Sequence, residues 1–140
     1  MSARVERRFQ VDAPAEEVWE FISDPTNRAR AISVVDSFEQ RGEETIWHIR
    51  LPIPLIRKTI AVRTRDTEVN PPHFVRFRGQ SSAFDVEGEH RIDPQENVTS
   101  VHNVFVVTGR APGVEGFFRR NLDSELKNLE RALKTHLRRS

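Results

Sequence analysis

Pro112-Gly-Val-Glu-Gly-Phe-Phe-Arg-Arg-Asn-Leu-Asp-Ser-Glu-Leu-Lys-Asn-Leu-Glu-Arg-Ala-Leu-Lys-Thr-His-Leu-Arg138 is the stretch whose reading decides the fold. Val114, Phe118, Leu122, Leu126, Leu129, Leu133 and Leu137 recur in it at steps of three and four. That spacing gathers side chains along one stripe of an α-helix. Once Gly116 is passed, nothing in the stretch breaks a helix. It predicts a helix over about 112–138, roughly 40 Å long at about 1.5 Å per residue. Such a helix is too polar to span a membrane and longer than most globular helices. An apolar stripe of that length needs a partner surface. The residues ahead of it read mostly as strands, so the stripe is expected to lie against a sheet.

Residues 4–11 alternate, with Val5, Phe9 and Val11 on one side and Arg4, Glu6 and Arg8 on the other, predicting a first strand. Asp12 stands where an N-cap belongs, and Pro14, Glu16 and Glu17 suit a first helical turn. Val18, Trp19, Phe21 and Ile22 supply the apolar face of a short helix that stops before Asp24-Pro25. A second short helix is expected at 27–31. Strands are expected at 32–40, 44–51, 57–69, 73–80, 84–93 and 98–109. Arg41-Gly42-Glu43, Pro52 and Pro54, Asn70-Pro71-Pro72 and other short turns separate them. The reading is α+β: a curved antiparallel sheet of about seven strands around a long C-terminal helix, with two short helices after the first strand. No repeat or linker marks a second unit. Residues 1–140 are expected to form one domain, long enough to bury a real core.

The segment Phe9-Gln-Val-Asp-Ala-Pro-Ala-Glu-Glu-Val-Trp-Glu-Phe-Ile-Ser-Asp-Pro25 resembles the N-terminal signature of the START-related helix-grip (SRPBCC) superfamily. That superfamily includes polyketide cyclases, birch-pollen-type allergens and a group associated with carbon monoxide dehydrogenase. The element order matches along the whole chain. The resemblance implies a cavity between sheet and long helix that holds a lipid, steroid, polyketide or other apolar molecule. It brings no invariant catalytic set to these residues.

Composition narrows the chemistry. Net charge is +1, from 22 Lys and Arg against 21 Asp and Glu, so the overall balance carries no footprint for nucleic acid or an anionic membrane. The absence of cysteine excludes disulfides, thiol nucleophiles and thiolate metal sites. His48, His73, His90, His102 and His136 show no metal-ligand spacing, and no cofactor or metal is signalled. There is no G-x-S-x-G elbow, and Pro112–Gly116 lacks the pattern and lysine of a phosphate loop. The N-terminus has no apolar signal segment, and no run approaches a spanning helix; a cytoplasmic protein is the default expectation.

Alternation assigns candidate faces. Trp47 and Ile49 share one face with Leu51. In the following strands Ile60, Val62, Thr64 and Asp66 group together, as do Val75 and Phe77, and Phe84, Val86, His90 and Ile92. These sets are expected to face the helix. Arg63, Arg65, Arg76 and Arg78 then fall outside, where a turn at 79–83 places Arg78 near Asp85 and Arg76 near Glu87. A turn at 93–97 places His90 opposite Ser100, with His102 one pair further along. The three would form a polar spot that orients a ligand's carbonyl or hydroxyl, or moves a proton. The other register turns Ser100 and His102 to solvent and Val101, Phe105 and Val107 inward.

On the helix, Phe117, Phe118 and Leu122 are the residues expected to touch a ligand; Leu129, Leu133 and Leu137 read as plain packing. Leu51-Pro-Ile-Pro-Leu-Ile56 is an apolar hairpin tip with three readings: folded back over the interior, an entrance gate, or a contact for a membrane surface or partner. Gly113 and Gly116 serve either a hinge or a tight turn. The expected function is binding or transport of a small, mainly apolar ligand. Two alternatives stand beside it: a polyketide cyclase or dehydratase using His90 and His102 for proton transfer, and an accessory protein working through the 51–56 tip. No catalytic residue is assigned.

Overall fold

Element order is β1 (Ala3–Val11), α1 (Ala15–Ile22), α2 (Pro25–Ala31), β2 (Val35–Arg41), β3 (Glu44–Ile49), β4 (Ile60–Asn70), β5 (Phe74–Gln80), β6 (Phe84–Pro94), β7 (Thr99–Gly109) and α3 (Val114–Arg139). This is a computed structural model, and it describes residues 2–54 and 56–139. The seven strands form one antiparallel sheet in the order β1-β7-β6-β5-β4-β3-β2. Each strand from β3 to β7 pairs with the one before it, and β1 lies against β7.

Alternation decides which face is buried. In β4, Ile60, Val62 and Thr64 turn inward while Arg63 and Arg65 stay exposed. The stripe of α3 lies against the inward face: Val114, Phe118, Leu122, Leu126, Leu129 and Leu133 are all buried. The first half of α3 packs with Trp47, Val62, Phe77, Phe84 and Phe105. The second half joins α1, Val11, Ile92 and Val101.

Local chemistry moves several boundaries. Helix α1 begins at Ala15 behind Pro14, with no side-chain cap, so Asp12 does not cap it. Asp24 is the residue that caps: its carboxylate accepts from the Thr26 amide at 2.9 Å, and α2 starts at Pro25, earlier than expected. Residues 32–34 are not strand. The buried Glu125 of α3 accepts from the backbone N–H of Ser33 at 3.0 Å and of Val34 at 3.3 Å, so β2 begins only at Val35.

Strand β3 ends at Ile49 and β4 starts at Ile60, leaving a strap over 50–59. Leu51 is buried, Ile53 and Ile56 pack half-buried on the core, and Pro52 and Pro54 are exposed. The apolar side chains of the tip are thus folded back toward the interior. Leu55 lies outside the described residues. Gly113, at φ +84°, turns the chain into α3, where a Cβ would lie 3.2 Å from Ile53 Cγ2.

Two expected registers are corrected. Arg76 lies opposite Glu89 and Arg78 opposite Glu87, two residues from the expected pairs. Arg76 bonds Glu89 at 2.7 Å, while Asp85 accepts from Arg110 at 2.5 Å. The β6–β7 hairpin closes at Pro94 and Thr99, with the Gln95 amide donating to the Val98 carbonyl at 2.8 Å. His90 therefore lies opposite Asn103, not Ser100.

Candidate functional site

At the centre of the inward face sits Phe77 on β5, only 1% exposed. It lies over Gly88 of β6, its partner in register; a Cβ there would stand 2.2 Å from the ring. Trp47 of β3 packs at 5.7 Å between ring centroids, Phe105 of β7 edge-on at 5.5 Å, and His90 of β6 near-parallel at 6.1 Å. The guanidinium of Arg28 covers the ring from α2, 5.5 Å from its centroid.

Polar groups reach this apolar interior from two directions. Arg28, 4% exposed, donates to the Ile22 carbonyl at 2.9 Å and forms a charge-assisted hydrogen bond with Asp66 of β4. The pair ties the corner between the short helices to the sheet. Burial draws the guanidinium down from its usual value, and Asp66 opposes that shift. On the other side, His90 and Asn103 are both fully buried, and Asn103 Nδ2 meets His90 Nδ1 at 2.8 Å. His90 Nε2, Asn103 Oδ1 and Trp47 Nε1 are buried without a hydrogen-bond partner among the described residues.

Burial, aided by the charge of Arg28, holds His90 well below the ordinary histidine value. The ring is neutral near pH 7. If the amide donates to Nδ1, then Nε2 carries the proton and is a free donor, while Oδ1 is a free acceptor. Reversing both assignments exchanges the roles and again leaves one donor and one acceptor.

The residues singled out in the sequence divide cleanly. Trp47, Ile49, Val62, Thr64, Phe77, Phe84 and His90 line the inward face, and Phe117, Phe118 and Leu122 face them from α3. Thr64 spends its hydroxyl on the Thr45 carbonyl at 2.7 Å. Ser100 and His102 lie on the other face of β7, since Asn103, Phe105 and Val107 take the inward positions. Ser100 stands opposite Gln10, and His102 bonds the exposed Glu6 at 2.8 Å, which lowers that carboxyl's pKa. His90 and His102 thus form no inward pair.

Sequence reading missed Asn103 and Arg28. The run Val101-x-Asn103-x-Phe105-x-Val107 was the available signal for the first. Nothing in Pro25-Thr-Asn-Arg-Ala-Arg-Ala31 marks one of its two arginines for burial.

The end of the interior beside α3's first turn is closed by the 50–59 strap. Grooves flank it on both sides: one of about 800 Å³ includes Val34, Arg50, Ile53 and Arg57, the other, of about 820 Å³, Arg57, Lys58, Ala83 and Ala111. Among its described residues the strap makes two backbone hydrogen bonds: Arg50 N–H to the Val34 carbonyl at 2.9 Å and Ile56 N–H to the Ile53 carbonyl at 3.2 Å. Among the described residues no three His, Asp or Glu side chains gather to hold a metal ion, and no helix is long and apolar enough to cross a membrane.

A curved antiparallel sheet gripping a long C-terminal helix gives this protein the helix-grip fold. Structures similar to it include a conserved protein from Geobacillus kaustophilus (TM-score 0.77, 15% identity, covering 100% of this chain and 97% of that one). A START superfamily protein from Mycobacterium smegmatis (0.74, 14%, 97% and 97%) and the Zhui aromatase/cyclase from Streptomyces sp. R1128 (0.75, 16%, 99% and 96%) are also similar. At these identities the likeness speaks for the fold. More particularly, residues 2–134 match the family described as polyketide cyclase/dehydrase and lipid transport, and the chain belongs to that family. No curated protein matches it.

Proposed function

We propose that this protein binds a small, mainly apolar molecule between its sheet and α3. The aromatic and aliphatic walls hold it, and the neutral His90–Asn103 pair bonds its polar group. One observation carries the reading: buried hydrogen-bonding atoms on His90 and Asn103 lack a partner among the described residues, inside otherwise apolar walls. Leaving such a group unsatisfied costs about 1–3 kcal/mol, so native interiors rarely keep one without a use. A neutral donor and a neutral acceptor suit a hydroxyl or carbonyl and offer no charge to neutralise a carboxylate. Access is through the strap, whose few backbone bonds make it the cheapest cover to lift. Proton transfer between His90 and His102, as the cyclase or dehydratase alternative requires, loses its geometry because His102 lies on the outer face.

The test has two parts. Protein purified without detergent is extracted and the extract examined by mass spectrometry. In parallel, the environment-sensitive probe 1-anilinonaphthalene-8-sulfonate is titrated into wild type and Asn103→Leu, with an apolar alcohol as competitor. The expected result is a defined co-purifying molecule, saturable probe binding, and competition that weakens about tenfold in the variant, one hydrogen bond's worth. No extractable molecule together with no saturable binding overturns the proposal.

A further inference from the structure

A balanced net charge conceals a lopsided distribution. Residues 45–65 contain no Asp or Glu but carry Arg50, Arg57, Lys58, Arg63 and Arg65. Residues 12–27 hold Asp12, Glu16, Glu17, Glu20 and Asp24 without a single Lys or Arg. The strand registers place the strap, with Arg50, Arg57 and Lys58, and the acidic stretch at opposite ends of the sheet, while Arg63 and Arg65 run back along β4 beside Glu44 and Glu43. Ile49 pairs with Ile60 at the end where Phe84 meets Gly109. Val11 pairs with Thr99 at the other, where Pro94 also ends. The strap therefore emerges at a cationic end, next to the first turns of α3.

Some of these cations are matched. Arg63 pairs with Glu44 and Arg65 with Glu43 on the strands; nearer the strap Arg110 pairs with Asp85, Arg119 with Glu115, and Arg50 reaches Asp36 at 4.0 Å. Arg57, Lys58 and Arg120 are exposed and, among the described residues, have no carboxylate within ion-pair reach. Between the matched and unmatched cations lie the half-buried Ile53 and Ile56 and the exposed Pro52 and Pro54. Proline carries no N–H, so a Pro-x-Pro strap takes fewer unsatisfied donors into a headgroup layer than another loop of its length. Cations around an apolar, donor-poor tip are complementary to an anionic bilayer surface.

We infer that this end of the molecule docks peripherally on anionic membranes, with Arg57 and Lys58 against lipid headgroups and the exposed Pro52 and Pro54 at the headgroup boundary. The contact is electrostatic first, so it weakens as salt rises. It turns the strap, and the interior beneath it, toward the lipid. The inference rests on charge placement and the strap's composition, and holds whether or not the interior carries a ligand.

Flotation of the full chain with vesicles tests it. The vesicles are phosphatidylcholine alone, or phosphatidylcholine with about one-third phosphatidylglycerol. The variants are Arg57→Gln/Lys58→Gln and, as a control of equal charge change at the far end, Arg131→Gln/Arg138→Gln. Wild type is expected to float with the anionic vesicles and not the neutral ones, and to be released by salt. The strap variant is expected to lose about thirtyfold in partition, near fivefold for each cation, while the control stays within about twofold of wild type. Circular dichroism melting confirms that both variants fold, and the same anilinonaphthalene titration reports the interior separately. Equal partition into neutral vesicles, no flotation with either composition, as for a surface that serves an acidic protein instead, or equal losses in both variants would each overturn the inference.

Discussion

His90 and Asn103 face one another across the β6–β7 ladder, and their side chains meet at 2.8 Å where neither has any exposure to solvent. Their positions make a testable unit. Asn103→Leu leaves a buried ring nitrogen without its partner and is expected to cost about 1–3 kcal/mol. His90→Leu does the same to the amide. Because the double replacement removes both needs together, its cost is expected to fall well below the sum of the singles in urea denaturation. Simple additivity would show that the two side chains do not act as a pair.

The neutral state of His90 sets a pH dependence. Burial lowers its pKa in the folded protein below the ordinary value of 6.5, so the unfolded chain takes up the proton first. Stability is then complete above about pH 6.5 and declines as pH falls through that value, with a slope approaching roughly 1.4 kcal/mol per pH unit. Glu130 and Asp24 are shifted below their ordinary values of 4.5 and 3.8, so their losses come at lower pH. Denaturation midpoints at half-unit steps between pH 8 and 5 check this. The decline is expected to vanish in His90→Leu.

Phe77 and Gly88 are locked by geometry. A methyl at Gly88 would stand 2.2 Å from a ring already boxed by Trp47, His90 and Phe105. Gly88→Ala is expected to destabilise by about 1–3 kcal/mol. In a Phe77→Leu background most of that cost is expected to disappear. A cost that persists there would place the strain in the backbone of β6 instead.

Arg28 and Asp66 give the sharpest asymmetry. Asp66→Ala leaves a buried guanidinium without its counter-charge and is expected to cost about 3 kcal/mol, near 10 °C in melting temperature. Arg28→Met combined with Asp66→Leu removes both charges and is expected to recover most of that loss. Differential scanning calorimetry of the three proteins reads the difference directly.

How far the sequence goes is visible in two ladders. Turn placement alone puts Arg76 opposite Glu87, and it lies opposite Glu89, a slip of two that leaves every side chain on its expected face. The same reasoning puts His90 opposite Ser100, and it lies opposite Asn103, a slip of three that turns Ser100 and His102 out and brings Asn103 in. Strand alternation has period two, so an even error in register is harmless and an odd one reverses a face. The turn 95–98 decided which it was, through the Gln95–Val98 bond.

By itself the sequence determined the stripe of α3, the inward sets of β3 to β6 and the order of elements, because these depend on periodicity along the chain. Only the tertiary structure decided that Asn103 joins His90, that Arg28 is buried against Asp66 38 residues away, and that Leu51, Ile53 and Ile56 of the tip fold back. Those outcomes depend on which distant groups meet, and a buried polar side chain is stable only where its partner stands.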